Sequence, residues 1–514
     1  INIPSPAVTR FFHFETRNNI HYIIWLDDIL RLHLDHIFPG YTVHDSYSIK
    51  LNRDEDYEIE DEFDGDLVKK IKDKLAKRGK SSEPIRLLYD KTIPEKVLKQ
   101  VIKNGGLKGF EGIPGGRYHN MNDLFQFPNP VGQKLSAQLP APLPHTGLEH
   151  ASSIFQPIEE KDQLLCYPYH SYDYVLRFFN EAVTDPLVEE IKVALYRIDK
   201  NSTIAHALMN ASRNGKKVTA FVEIKARYDE LNNLYWAEEM EKAGVHIIYS
   251  MPGIKVHSKI ALIHKNDGNG KKKKYAYLST GNFNEKTATI YSDFGFFTMN
   301  NDIIRETEAI FKFLSTGKKP GPLNHLLVAP FNMKKEISKL INNEIEAAKN
   351  GKPCGIILKV NGLDEKEIIE KLYEASDAGV SIQIIVRAGC ALIPQKKGLS
   401  ENISAYRLVG KYLEHARVLY FKAEGKGKIF LSSADLMNRN LNRRIEVGFP
   451  IYDEAFKKDI KTLLEIQLRP DVKKTPIQQN KFTQSPEKSD LALDAQDLIY
   501  EWIKHKDSIQ KIKN

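Results

Sequence analysis

The chain has 514 residues, and its 75 lysines and arginines against 67 aspartates and glutamates leave a net charge of +8, which singles out no polyanionic partner. This length is enough for three domains with sizeable cores. Its three cysteines, Cys166, Cys354 and Cys390, are odd in number and lack metal-ligand spacing, which argues against a disulfide scaffold and a zinc site. Since no membrane-length apolar run or signal peptide is visible, we expect a cytoplasmic protein, with peripheral attachment to a membrane left open.

Residues 1–144 mix helical and strand patterns and predict an α+β domain. The clearest pattern covers residues 21–38, where leucines and isoleucines recur at helical spacing until a Pro-Gly pair ends the segment. His33 lies on the apolar face of this predicted helix, so we expect a buried core histidine and not a metal ligand. Two more helices are predicted, over residues 66–77 and 93–104.

A Pro-Gly-Gly turn at residues 114–116 places Arg117, Tyr118 and His119 on a loop. An arginine and a histidine beside two glycines can contact a phosphate group. A glycine pair alone is weak evidence for such a site, so a purely structural loop stays open as the alternative.

The proline-rich segment 139–144 predicts an extended linker and marks the first domain boundary. Strands and helices then alternate, which predicts parallel strands with helical crossovers in an α/β domain over residues 145–322. Two of these strands end in Arg197 and Arg227. Because open α/β sheets bind their ligands at the strand ends, we expect both arginines to face one crevice.

A histidine and a lysine two residues apart dominate the segment 253–298. Residues 254–263 predict one buried strand, whose alternation would send His257 and Lys259 to the same face. A tight hairpin follows, and a Ser-Thr-Gly-Asn turn at residues 279–282 then returns hydroxyl and amide donors. This set suits phosphoryl chemistry, because neutral imidazole attacks phosphorus and cations offset the charge on its oxygens. An isolated His-x-Lys in a strand is more often structural.

A second copy of the pattern in residues 323–514 favours the catalytic interpretation. His415 also precedes a cation, Arg417, by two residues, and a strand again returns into a serine pair. Matching features recur at similar offsets along the chain. The offset is 164 positions between the glycines that end a helix and 160 between the arginines that end a strand, Arg227 and Arg387. It is 158 between the two histidines and 153 between the first serines of the two turns. We therefore predict two duplicated α/β domains that meet at one pseudo-symmetric site.

The paired His-x-cation pattern resembles the phospholipase D superfamily. Its phosphodiesterases carry an aspartate five positions after the lysine, where this chain has His264 and Lys422, so diesterase activity is less favoured. The longer resemblance is to polyphosphate kinases of the first type. The motifs that carry it are residues 114–120 (PGGRYHN), 221–227 (FVEIKAR), 280–288 (TGNFNEKTA), 412–415 (YLEH), 432–435 (SSAD) and 444–447 (RIEV).

The resemblance implies a kinase that reversibly moves the γ-phosphate of ATP to inorganic polyphosphate, with Mg²⁺ as cofactor, ADP as product, a homo-oligomeric state and no nucleic-acid partner. The residues it implies are His257 as the phosphohistidine, with Lys259 and His415 as further catalytic groups; Tyr291, Arg387, His415 and Asn282 at ATP; and Arg197 and Arg227 at magnesium and phosphate. Since a guanidinium cannot ligate a cation, we expect these two arginines to hold phosphate oxygens beside the metal.

Two departures from the family pattern keep rival functions open. Family members often carry a histidine where this chain has Tyr277, so the role of that histidine is absent here or moved to His415. The chain begins at Ile1, and we expect it to lack the family's preceding helical domain. These departures favour a non-catalytic polyphosphate-binding protein as one rival, and the other rival is a phospholipase D-like phosphodiesterase, which shares the paired histidines.

Overall fold

The structure is a computed structural model, and it describes residues 1–4, 7–15, 18–53, 84–107, 111–136, 138–226, 228–249, 253–478 and 492–513. The chain divides into two compact units, residues 1–139 and residues 140–514. In the described part of the chain, every helix is too short or too polar to cross a bilayer.

The first unit contains a two-stranded and a three-stranded sheet. Its elements are β1 (Phe11–Glu15), β2 (His21–Trp25), α1 (Leu26–Leu32), α2 (Leu34–Ile37), β3 (Ile49–Arg53), β4 (Pro84–Asp90), α3 (Glu95–Asn104), β5 (Glu111–Gly115) and two 3₁₀ helices, Met121–Gln126 and Gly132–Leu135. Arg10 ties distant parts of this unit together, because its buried guanidinium pairs with Asp27 and with Asp123, both at 2.6 Å.

The helix predicted over residues 21–38 is wrong in part. Its first five residues form β2, which pairs antiparallel with β1, and the helix that follows breaks at His33 into α1 and α2. His33 is exposed, so the expectation of a core histidine is also wrong. Isoleucine and aromatic residues fit a strand as well as a helix, and spacing alone did not show where one ends. The helix predicted over 93–104 is confirmed as α3, whereas residues 66–77 lie outside the described residues.

The Pro-Gly-Gly loop has hydrogen-bond partners within its own unit. Arg117 pairs with Asp28 at 2.7 Å, and the hydroxyl of Tyr118 donates to the same carboxylate at 2.6 Å. The ring of His119 is buried and lies 3.0 Å from the carbonyl oxygen of Ser48. These contacts support the structural alternative for the loop.

The second unit consists of two similar α/β halves. The first contains α4 (Phe155–Glu160), β6 (Gln163–Tyr167), α5 (Asp173–Thr184), β7 (Val188–Leu195), α6 (Thr203–Arg213), β8 (Lys217–Val222), α7 (Glu230–Lys242), β9 (His246–Tyr249), β10 (Lys255–Val256), β11 (Ile260–Asn266), β12 (Lys272–Ser279), α8 (Glu285–Ala288), β13 (Tyr291–Thr298) and α9 (Asn301–Thr316). Parallel pairing of β7 with β8 and of β8 with β9 confirms the predicted crossovers.

The second half largely repeats this order of elements, but its described residues form no helix between β16 and β17. It contains β14 (Leu327–Ala329), α10 (Met333–Lys349), β15 (Ile356–Val360), α11 (Lys366–Asp377), β16 (Ile382–Val386), β17 (Ile403–Arg407), β18 (Leu413–Glu414), β19 (Arg417–Phe421), a 3₁₀ helix (Ala423–Gly425), β20 (Lys428–Ser432), α12 (Asn438–Arg443), β21 (Arg444–Ile451), α13 (Glu454–Leu468), β22 (Thr475–Pro476) and α14 (Ala495–Lys513). The two halves share a hydrophobic core, in which Phe296 stacks on Phe449 with ring centroids 5.7 Å apart.

The two halves exchange short strands. The first sheet runs β18-β13-β12-β11-β7-β8-β9, and the second runs β10-β21-β20-β19-β15-β16-β17-β22. Thus β10, from the first half, pairs parallel with β21, and β18, from the second half, pairs parallel with β13. Each exchanged strand has two residues and directly precedes a histidine of the repeated pattern, His257 or His415.

The prediction of one continuous strand over residues 254–263 is therefore wrong. The chain leaves the second sheet after β10 and enters the first sheet at β11, so residues 257–259 bridge the two sheets. The backbone N–H groups of His257 and Ser258 both donate to the carbonyl oxygen of Ile445, at 2.9 and 3.0 Å. Alternation of side chains holds only within one continuous strand, so it could not place this histidine.

Packing around β13 leaves no room for a side chain at Gly295. A Cβ there would lie 2.6 Å from the Tyr277 hydroxyl oxygen and 2.7 Å from that of Tyr167, and both tyrosines are buried. We expect Gly295→Ala to lower the free energy of unfolding, measured by urea titration, by about 1–3 kcal/mol. The control is Gly321→Ala, because a Cβ at that position meets nothing within 4 Å. Equal stability of the two variants would contradict this packing.

Candidate active site

The ring of His257 is held by a carboxylate from the other half of the unit. Its Nδ1 lies 2.9 Å from Oε2 of Glu446, which β21 carries next to the exchanged strand β10. Glu446 is fully buried and also accepts hydrogen bonds from Ser433 at 2.5 Å and from Asn440 at 2.7 Å. Burial raises the pKa of Glu446, but these converging donors fit the ionised carboxylate. Nδ1 of His257 therefore carries the hydrogen, and Nε2 carries the lone pair.

Lys259 lies beside this histidine although the predicted strand is interrupted. Its ammonium donates to the backbone carbonyl oxygen of His257 and lies 5.1 Å from the ring centroid of Tyr196. The same tyrosine ring meets the His257 ring edge-on, with centroids 4.5 Å apart. Lys259 is buried, and burial holds its pKa well below the usual value for a lysine. A buried ammonium of this kind is stabilised by an anion that approaches it.

His415 repeats the arrangement with the halves reversed. Its Nδ1 lies 2.8 Å from Oδ2 of Asp293, which β13 of the first half carries next to the exchanged strand β18. Thr280 donates to Asp293 at 2.6 Å, as Ser433 does to Glu446. Burial acts to raise the pKa of Asp293, but His415 and the hydrogen bonds outweigh it and leave this pKa below the usual value. Nδ1 of His415 therefore also donates to a carboxylate.

The two histidines differ at Nε2. Arg417, the counterpart of Lys259, places Nη1 3.1 Å from Nε2 of His415 and 2.7 Å from the carbonyl oxygen of the same residue. The guanidinium is held by Asp435, with bonds of 3.2 and 3.1 Å. No described residue makes a hydrogen bond of this kind to Nε2 of His257. Only His257 thus keeps a lone pair that no neighbour in the described chain engages.

Electrostatics connects the two histidines in one cluster. Burial lowers the pKa of His257 well below its usual value, and the charges of Lys259, Arg444 and Arg417 lower it further. Arg417 is the residue that bonds His415, so the second histidine's partner acts on the first. Burial also lowers the pKa of His415, against the opposing charge of Asp293. Both imidazoles are therefore neutral near pH 7.

Of the other predicted residues, Tyr291, Arg387, Asn282 and Arg197 belong to the described structure. The ring of Tyr291 is 5.1 Å from that of His415, centroid to centroid. Arg387 and Asn282 each hold a buried side-chain atom, Nε and Oδ1 respectively, without a hydrogen-bond partner among the described residues. Arg197 pairs with Asp229 at 3.3 Å. Arg227 lies outside the described residues.

Tyr277 is a buried core residue of the first half. Its side chain is buried among aromatic rings, 5.5 Å from Phe283 and 4.8 Å from Phe297 between centroids. Its hydroxyl oxygen lies 3.3 Å from that of Tyr167. Burial raises the pKa of Tyr277, so this hydroxyl stays protonated.

Sequence reasoning missed the two carboxylates that orient the histidines. Glu446 lies in the motif at residues 444–447 and Asp293 in the segment 253–298, yet the sequence patterns assigned neither a role. The available signal was the repeat itself, because the two carboxylates are separated by 153 positions, the same offset as Ser279 and Ser432. Arg444, whose charge acts on His257, was missed in the same way.

The two duplicated α/β halves and the paired imidazoles at their junction suit an enzyme that transfers phosphoryl groups. Comparison with known proteins gives the family. Three family models match: "Polyphosphate kinase middle domain" over residues 1–127, "C-terminal domain 1" over 153–320 and "C-terminal domain 2" over 326–496.

Individual relatives agree with these models. Polyphosphate kinase of Escherichia coli K12 is 38% identical over 98% of this chain and 74% of its own length, and that of Vibrio cholerae is 38% identical over 98% and 73%. The crystal structure of polyphosphate kinase from Porphyromonas gingivalis superposes with a TM-score of 0.81 and 41% identity, covering 99% of this chain and 75% of that one. The chain belongs to the polyphosphate kinase family.

The contact between His257 and Glu446 leads to a first prediction about the site. In Glu446→Gln an amide N–H₂ can face Nδ1, which moves the ring hydrogen to Nε2 and removes the lone pair there. We expect the single-turnover rate of phosphate transfer from ATP to fall by up to about 10⁴-fold, the loss that a carboxylate-to-amide change causes beside a protease's catalytic histidine. The control is Glu344→Gln, which replaces a buried carboxylate that accepts backbone N–H groups of Gly355 and Ala423. Equal rates in the two variants would contradict the role of Glu446.

Proposed function

We propose that this polyphosphate kinase moves the γ-phosphate of ATP to Nε2 of His257 and from there to the end of an inorganic polyphosphate chain. The observation that supports this assignment is the lone pair on Nε2, which no described residue engages, since Nδ1 donates to Glu446. The lone pair forms a bond to phosphorus while the bond to the ADP oxygen breaks, and ADP leaves with that electron pair. A terminal polyphosphate oxygen then attacks the phosphohistidine, and the phosphorus–nitrogen bond breaks.

The same steps run in reverse, because the donor and the product are both phosphoanhydrides of similar energy. The phosphohistidine is the shared intermediate of both directions, so ADP and polyphosphate compete for one phosphoryl group. Lys259 lies beside the carbonyl of the attacking residue, and an incoming phosphate favours the charged form of its buried ammonium.

For His415 two roles stay open in this proposal. Arg417 and Asp293 hold both ring nitrogens, so the imidazole is fixed in orientation before substrate arrives. It can act as acid and base if Nε2 exchanges the Arg417 contact for a substrate oxygen. It can also hold the nucleotide together with the neighbouring ring of Tyr291. Arg387 and Asn282 add buried polar atoms that a nucleotide phosphate or sugar would satisfy.

We infer that the cofactor Mg²⁺ is carried mainly by the phosphates of ATP. Among the described residues no group of three or more His, Cys, Asp and Glu side chains could hold a metal ion. Mg²⁺ commonly uses one or two carboxylates, phosphate oxygens and water, and Asp229 beside Arg197 offers one such carboxylate. The ion would supply charge neutralisation on the phosphate oxygens. Arg197, with Arg227, would bind the phosphates themselves.

Other parts of the proposal rest on the family resemblance. They are ATP, ADP and polyphosphate as substrates, without a nucleic-acid partner, and a homo-oligomeric state. The cytoplasmic location, with peripheral membrane attachment left open, and the division into domains at 1–144, 145–322 and 323–514 rest on the composition and linker patterns of the sequence. A molar mass in solution that is a multiple of the mass of one chain, measured by light scattering, would support the oligomer.

Radiolabelled ATP tests the proposed nucleophile. We expect the γ-phosphate label to become bound to the protein in a form that acid releases and base does not, and to be absent from His257→Ala. The matched control is His264→Ala, which removes another buried histidine of the same half, one that lies beside Glu190 and Glu308. A label that persists in His257→Ala would contradict the role of His257. No label in any variant, together with salt-sensitive polyphosphate binding, would favour the non-catalytic alternative.

The lowered pKa of His257 predicts how activity depends on pH. A depressed pKa keeps the imidazole neutral below the usual histidine value of about 6.5, so label transfer should continue below that pH and decline only at lower pH. The unfolded chain takes up the proton first, so the stability that comes from burying the neutral ring is complete above about 6.5 and is lost as pH falls. Single-turnover rates measured across pH check this, and a midpoint at or above 6.5 would contradict it.

A further inference from the structure

The C-terminal helix α14 holds the segment that leads into His415. Gln496, in its first turn, is 3% exposed and contacts this segment at three points. Its Oε1 accepts the backbone N–H of Tyr412 at 2.8 Å, while its Nε2 donates to the carbonyl oxygen of Tyr412 at 2.9 Å and to Oε1 of Glu414 at 2.7 Å. A side-chain amide is well suited to this, since it offers an acceptor and two donors in one plane.

Glu414 links Gln496 to the sequence neighbours of His415 and Asp293. It is 4% exposed, and its Oε2 accepts from Lys359 at 2.5 Å, from Ser292 at 2.9 Å and from Gln467 at 3.2 Å. In sequence, Glu414 adjoins His415 and Ser292 adjoins Asp293. One carboxylate therefore connects the residues next to the imidazole and next to the carboxylate that orients it.

This network costs more to bury than apolar side chains of similar size. A buried ion pair with its hydrogen bonds adds little to the free energy of unfolding. Its presence here therefore indicates that the geometry of the His415 segment is what it maintains. Its groups are satisfied: the Glu414 carboxylate accepts four hydrogen bonds in the described structure, from Lys359, Ser292, Gln467 and Gln496. Loss of one amide leaves buried donors and acceptors of the His415 segment without partners, so the segment shifts.

We propose that Gln496 is a positioning residue for His415, acting from the C-terminal helix through Tyr412 and Glu414. The inference rests on the proposed role of His415 in phosphate transfer and adds a residue 81 positions beyond it, from 415 to 496. Gln496 touches neither imidazole and is not itself a catalytic residue. It affects the reaction by fixing the position of the His415 imidazole.

A double-mutant cycle in the full chain tests this proposal. The single-turnover rate of label transfer from ATP is measured for the parent, Gln496→Ala, His415→Ala and the double variant. We expect Gln496→Ala to slow transfer about 10- to 100-fold, the range for a small misplacement of a catalytic group. In the His415→Ala background the same change should add little, because the residue it positions is gone. The control is Asp497→Asn on the next position of the helix, which pairs with Lys411 at the surface and should leave the rate unchanged.

The outcomes separate the two hypotheses. A normal rate in His415→Ala removes the proposed role of His415. If transfer is slow in His415→Ala and Gln496→Ala lowers the rate by the same factor in both backgrounds, the effect is a general one on folding, and the positioning role is overturned.

Gln496→Glu covers the case in which the alanine variant does not fold, since it keeps the shape and the acceptor for Tyr412. Its rate relative to the parent should rise as pH falls, because a protonated carboxyl again donates to Glu414; a ratio that is constant with pH would contradict the proposal.

Discussion

The site depends on an exchange of backbone between the two sheets. Strand β10 of the first half pairs with β21 of the second, and β18 of the second half pairs with β13 of the first. Each histidine therefore lies where the chain crosses from one sheet to the other. The N–H groups of His257 and His415 are both bonded to carbonyl oxygens of the opposite half. This backbone pairing fixes each imidazole beside a carboxylate of that half without help from a ligand. The rest of the active site can be understood as an elaboration of this constraint.

Within this symmetric frame, one difference in side chains separates the two roles. An ammonium at position 259 reaches the backbone carbonyl of its histidine, whereas the longer, forked guanidinium of Arg417 reaches both the carbonyl and Nε2 of its own. Arg417 can do so because Asp435 holds its other edge. The first half has Asn282 at the position matching Asp435. A lysine and an asparagine at these positions in one half, against an arginine paired with an aspartate in the other, thus leave Nε2 of one imidazole without a hydrogen bond from a described residue and Nε2 of the other engaged.

The sequence allowed much of the fold to be predicted, because a duplication shows itself in offsets that chance does not produce. The α/β crossovers and the hairpin after β11 followed from local patterns, and the two histidines followed from the repeat. The break between β10 and β11 did not, since an apolar run looks the same whether it stays in one sheet or crosses to another. Glu446 and Asp293 lie 189 and 122 positions from their histidines, and pairing over such distances is decided by tertiary structure. His33 was placed wrongly because helical spacing continued across a strand boundary.

The strand exchange also bears on how such a protein arose. A single ancestral half would have carried an imidazole but would have kept its orienting carboxylate out of reach, because that carboxylate serves the neighbouring copy. Such a half could have worked only as a symmetric pair of identical chains, each completing the other. Fusion of two genes would then have joined partners that already depended on each other, and only afterwards could the two positions diverge into lysine and arginine. The inequality of the two imidazoles is, in this sense, the younger feature of the molecule, and their mutual dependence the older one.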